Sequence, residues 1–182
     1  VAFCSVPLTD NLVVELDGSS ANLSPSGKIM TWYDQASYGG NNNAEGETPE
    51  IGSPDPRPRM VNELMPNGLT MPVARFDGTN DNLTIGSTDL LNTNQLTWFI
   101  VLKADDTSVT SSILRSAYTD RGDETANPYL WGSYTLSDRI YSHARTITGS
   151  NMARYATANS NQWYIVTGSW NGDSIRQWLD GV

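Results

Sequence analysis

PVARFDGTNDNLTI, residues Pro72–Ile85, is the stretch whose reading decides the fold class. Two short apolar runs, Val73–Phe76 and Leu83–Ile85, flank the connector Asp77-Gly78-Thr79-Asn80-Asp81. Leu83 and Ile85 fall on one face of a strand, because side chains alternate with a period of two. The Asp-Gly pair supplies the positive φ that a tight connection needs. The stretch therefore predicts a β-hairpin.

The same grammar recurs on both sides of it. Helical periodicity is nearly absent, and β-branched and aromatic residues come in short bursts between turn signals. The spacing predicts strands over Leu12–Leu16, Ile29–Tyr33, Val73–Phe76, Asn82–Ile85, Leu96–Lys103, Ser112–Arg115, Tyr129–Tyr134, Arg139–Ile147, Trp163–Trp170 and Ile175–Leu179. Asp17-Gly18, Asn67-Gly68, Asn171-Gly172 and Asp180-Gly181 mark further turns. Many short strands with such turns predict an all-β protein, an antiparallel β-sandwich or barrel. From Tyr38 to Met71 the chain is rich in Asn, Gly, Pro and Glu, and its prolines argue against a central strand. That segment is predicted to be a long surface loop.

Composition narrows the function classes. The chain has 182 residues, with Lys+Arg 11 against Asp+Glu 20, for a net charge of −9. Nucleic acid and anionic membrane surfaces both select basic faces, so neither is an expected partner. No apolar run is long enough to span a bilayer. Cys4 is the only cysteine, which rules out an intrachain disulfide. The chain also starts without Met, so a processed or partial product is expected.

Three stretches together carry a resemblance. Leu12–Asp34, reading LVVELDGSSANLSPSGKIMTWYD, holds an opening strand and a Gly27-x-x-x-x-Trp32-x-Asp34 element. Pro72–Leu83 holds Arg75-Phe76-Asp77-Gly78, and Asn161–Val182 ends in Trp178-Leu179-Asp180-Gly181. In that order they resemble the laminin-G-like jelly roll of the concanavalin A-like lectin/glucanase superfamily. The resemblance implies a jelly-roll domain over residues 11–182, preceded by a leader or linker over 1–10. It also implies that strands beyond Asp180-Gly181 are missing. Ile175–Leu179 is then expected as an exposed apolar edge, with the polypeptide continuing or a neighbouring chain completing the sheet.

The chemistry is sparse. Glucanases of that superfamily need two carboxylates on one strand. The nearest match, Glu15-Leu16-Asp17-Gly18-Ser19-Ser20, has serines where the acid/base should stand and a glycine that places it in a turn. Arg139–Ile147 is more informative. Its odd positions Arg139, Tyr141, His143 and Arg145 share one face, and Ile140, Ser142, Ala144 and Thr146 share the other. Two arginines, a tyrosine and the only histidine side by side suit an anionic or polyhydroxylated ligand, since Arg forks pair with carboxylate or sulfate. Tyr129 and Trp131 are a candidate sugar-stacking pair. Arg121-Gly122-Asp123 matches the integrin-binding tripeptide, and Asp120, Asp123 and Glu124 on the same loop are oxygen donors of the kind calcium takes. Laminin-G-like domains often carry calcium at a rim.

The expected function is a non-catalytic recognition or adhesion module, secreted or surface-displayed, with a polysaccharide or glycan as partner. A structural subunit of an extracellular filament or virion surface is the first alternative, through strand addition at the open edge. A polysaccharide lyase using Tyr141, His143 and the flanking arginines is the second.

Overall fold

The computed structural model describes residues 15–36, 42–85, 95–115, 130–145, 151–171 and 173–182. Among them there are thirteen strands and no helix. Every pairing between strands is antiparallel. The all-β expectation holds. Contacts divide the chain into two compact units, Val1–Leu90 and Leu91–Val182. The expected leader over residues 1–10, with Cys4, lies outside the described residues.

The first unit contains β1 (Leu16–Leu23), β2 (Ile29–Asp34), β3 (Ala44–Gly46), β4 (Arg59–Leu64), β5 (Thr70–Arg75) and β6 (Leu83–Ile85). They form a four-stranded sheet, β1-β2-β3-β6, and a β4-β5 ribbon. The hairpin expected around Asp77-Gly78 does not form. β5 pairs with β4, while β6 pairs with β3. The reason is local. The Asp77 carboxylate accepts the N–H groups of Thr79, Asn80 and Asp81 at 2.8, 3.1 and 3.2 Å. The Asp77 N–H in turn donates to Asp81 Oδ2 at 2.9 Å. An Asp side chain has thus replaced the cross-strand partners of the connector, and the flanking strands diverge.

The predicted loop over Tyr38–Met71 is also corrected, since it contains β3, β4 and the start of β5. Pro54, Pro56 and Pro58 precede β4 and cost it no donor. Pro72 does sit within β5, opposite Asn62. A two-stranded ribbon leaves each strand one open edge, where a missing N–H is tolerated. Asp17-Gly18, read as a turn, lies inside β1, where a register shift between Leu16 and Ala21 absorbs it. Trp32 Nε1 donates to the Asp17 carbonyl there. Gly18 is required by proximity, because a Cβ would stand 2.1 Å from the Pro72 carbonyl oxygen.

Polar staples hold much of this unit. Ile29, Ala44 and Pro58 are its fully buried apolar residues among those described. Asp34 Oδ1 accepts the N–H of Glu15 at 2.8 Å and of Ala36 at 2.9 Å, and Oδ2 that of Asn42 at 3.2 Å. Lys28 Nζ donates to the carbonyls of Asp55 and Arg57 and to Asp81 Oδ1 at 3.2 Å. One cation thereby ties the proline-rich segment to the Asp77 connector.

The second unit is built differently. It contains β7 (Leu96–Lys103), β8 (Ser111–Arg115), β9 (Leu130–Thr135), β10 (Arg139–Arg145), β11 (Asn151–Thr157), β12 (Trp163–Trp170) and β13 (Ile175–Leu179). The sheets β13-β12-β7 and β11-β10-β9-β8 share a hydrophobic core. Trp98, Ala144, Trp170 and Ile175 form one cluster, and Ile140, Ala158, Tyr164 and Val166 the other. The Trp98 indole N–H donates to Ser133 Oγ at 2.9 Å, so its polar atom is satisfied inside. Trp98 lies against Gly168, where a Cβ would meet its ring at 2.2 Å.

β7, β12 and β13 have the bounds read from the sequence. β11 does not appear in that reading, because Asn-Met-Ala-Arg-Tyr-Ala-Thr lacks a β-branched run. It exists through pairing with all seven residues of β10. β13 is an outer strand of its sheet, as expected, but its apolar side chains are not exposed. Ile175 is buried, and Gln177 Nε2 donates to the Ile140 carbonyl at 2.9 Å, so β13 leans onto the facing sheet. Asp180-Gly181 closes a two-residue turn, with Leu179 and Val182 bonded both ways at 3.2 and 3.1 Å.

Candidate binding site

β10 alternates as its sequence requires. Ile140, Ser142 and Ala144 are buried toward the core, whereas Arg139, Tyr141 and His143 are half-buried on the opposite face. Arg145, the last residue of the strand, pairs with Leu130 and Asn151, and its side chain lies outside the described ones.

A two-residue turn, Ser137-Asp138, positions the start of this strand. Leu136 and Arg139 are bonded both ways at 3.1 and 3.2 Å, and both turn residues have positive φ (51° and 57°) without being glycine. Such backbone is costly unless its surroundings enforce it. Here Ser137 N–H donates to the Ser108 carbonyl and Asp138 N–H to the Thr107 carbonyl. Buried Thr107 donates its hydroxyl to Asp138 Oδ1 at 3.1 Å. Arg139 therefore begins from a pinned turn.

Cross-strand register then assembles a row of rings. Tyr141 faces Tyr134 on β9 and Tyr155 on β11. Tyr134 and Tyr141 stack with centroids 4.8 Å apart and planes 4° from parallel. Tyr155 lies 5.3 Å from Tyr141, tilted by 41°. The Arg139 guanidinium sits over the Tyr155 ring at 4.3 Å, and its Nη1 donates to the Tyr141 hydroxyl at 3.4 Å. At the other end His143 meets Tyr134 edge-on at 5.4 Å. Across the sheet the rings run Tyr134, Tyr141, Tyr155, with Arg139 and His143 on either side of Tyr141 along β10.

Protonation states follow from these neighbours. The hydrogen bond to Tyr141 raises the Arg139 pKa, so the guanidinium is charged throughout the working range. Burial, and secondarily the neighbouring Tyr141, raises the Tyr134 pKa, which keeps its hydroxyl protonated. Burial lowers the His143 pKa below the ordinary 6.5. His143 Nδ1 is buried with no hydrogen-bond partner among the described residues.

The histidine makes stability depend on pH. The unfolded chain takes up this proton near pH 6.5, the folded chain only at lower pH. Stability is thus lost as pH falls through 6.5 toward the folded value. Melting temperatures of the wild type and His143→Gln, compared between about pH 7 and about pH 5, check this. The wild type is expected to lose more over that interval, and equal losses would remove His143 as the cause.

The structure brings together only part of the predicted set. Arg139, Tyr141 and His143 adjoin as expected. Trp131 stands opposite Ala144 in the register, and its side chain lies outside the described ones. Tyr129 lies outside the described residues, as do the Arg121-Gly122-Asp123 motif and the acidic loop proposed for calcium. No group of three or more His, Cys, Asp or Glu suited to a metal ion occurs among the described residues. Tyr134 and Tyr155 were not singled out by sequence, because only strand register makes them neighbours of Tyr141. An open cleft of about 380 Å³ in the first unit is lined by Gly18, Ser19, Met60, Asn62 and Pro72 among others, with no titratable group. It offers less chemistry than the tyrosine row.

Comparison with protein-family models, with curated proteins and with solved structures finds no match. No helix among the described residues is long and apolar enough to cross a membrane.

Proposed function

We propose that this chain is a non-catalytic carbohydrate-recognition module, and that its site is the outer face of β9, β10 and β11. One observation carries the reading. Tyr134, Tyr141, Tyr155 and Arg139 form a continuous array on the face turned away from the core, with Tyr155 56% exposed. Phenol hydroxyls donate and accept, and a guanidinium donates through a planar fork, which is the chemistry that polyhydroxylated ligands select. The resemblance of the sequence to laminin-G-like jelly rolls agrees with a module of this kind, secreted or displayed on a surface.

A glycan array tests the proposal. The wild-type chain is expected to bind at least one polysaccharide class, and Tyr141→Ala and Tyr155→Ala to reduce that binding several-fold at unchanged melting temperature. Absence of binding to every glycan, or binding indifferent to both substitutions, would sink it.

A further inference from the structure

We infer that the tyrosine row reads an acidic substituent of a glycan, a carboxylate or a sulfate, edge-on through Arg139 and the phenol hydroxyls, and does not stack a neutral sugar ring. This inference rests on the carbohydrate reading above and names the ligand class of that same site.

The ring geometry carries it. A neutral pyranose needs an open aromatic face to lie on. Here the faces are used internally. Tyr141 has Tyr134 on one side and Tyr155 on the other, since β9 and β11 flank β10. The Tyr155 face also lies under the Arg139 guanidinium, and Tyr134 meets the edge of His143. With these faces engaged, the chemistry left to a ligand is that of ring edges, hydroxyls and the Arg139 guanidinium.

Among the described residues that cation has no carboxylate partner. The ion pairs among the described residues are Lys28–Asp81, Arg57–Asp55 and Arg75–Glu63, all in the first unit. In a chain of net charge −9, carboxylate partners are plentiful, yet Arg139 is held by two tyrosines instead. A guanidinium has five N–H donors, and one is directed at Tyr141. The rest of the fork is pre-positioned on a pinned turn and stays charged, as bidentate capture of a carboxylate or sulfate requires.

Binding of the full chain to four polymers tests this: polygalacturonate carries carboxylates only, dextran sulfate carries sulfates only, and dextran and xylan free of uronate side groups are neutral. One or both acidic polymers should bind, more weakly as salt rises, and which one binds separates carboxylate from sulfate recognition. Arg139→Gln should weaken that binding roughly tenfold or more, because a charged hydrogen-bonding group is lost. Arg139→Lys, which keeps the charge but not the fork, should fall between. Dextran or xylan bound as tightly as the acidic polymers, with no salt dependence, would overturn the inference and leave the carbohydrate reading standing. No binding to any polymer or array glycan would remove both. The salt and polymer comparisons use the wild type, so they decide the matter even if the Arg139 variants fold poorly.

Discussion

Trp170→Ala is expected to lower the unfolding free energy by about 3–5 kcal/mol, the largest core effect among the described residues. Trp170 is only 1% exposed and sits at the end of β12, packed with Trp98, Ala144 and Ile175. Truncation there removes its transfer free energy and also leaves a cavity between two sheets. Those walls are hydrogen-bonded strands, which cannot collapse inward without breaking register. Urea unfolding of the full chain, followed by far-UV circular dichroism, measures the loss. A destabilisation under about 1 kcal/mol would mean that the two sheets do not share this core.

Lys28→Met is the second large effect, expected at about 3–5 kcal/mol, since removal of one partner strands a buried charge. The Lys28 side chain is 17% exposed and that of Asp81 only 2%. Without the ammonium, Asp81 keeps its desolvation cost and loses its cation, and the carbonyls of Asp55 and Arg57 lose a shared donor. The double variant Lys28→Met with Asp81→Asn removes the charge itself. It should recover part of the loss, and the difference between single and double variants reads the coupling. Strict additivity would show that the pair is incidental. The contrast with Trp170 is instructive, because the first unit leans on polar staples where the second leans on apolar area.

The legible and illegible parts of the candidate site divide in the same way. Arg139, Tyr141 and His143 could be put on one face from alternation alone, because alternation is a property of a single strand. Tyr134 and Tyr155 could not, since which residues oppose Tyr141 depends on the register of β9 and β11. The two serviceable guides to register, a hydrophobic pattern and an Asx-Gly turn, are both weak here. The β9–β10 turn is Ser137-Asp138, whose positive φ values are enforced by Thr107 and Ser108 from a distant segment. β11 has two alanines and an asparagine among its seven residues. Its strand character comes from its partner.

Pro72–Ile85 shows where local information ends. By itself the sequence determined that this stretch is extended, that it bends at Asp77-Gly78, and that the protein is all-β. These follow from φ preferences and side-chain alternation, which act between near neighbours. Only the tertiary structure decided that β5 and β6 part company after the bend. The Asp77 carboxylate takes the connector's N–H groups for itself, and Lys28, far away in sequence, holds Asp81 in place. Strand partners and the tyrosine row are choices among competing hydrogen bonds and packings, and those are settled by residues that meet only when the chain folds.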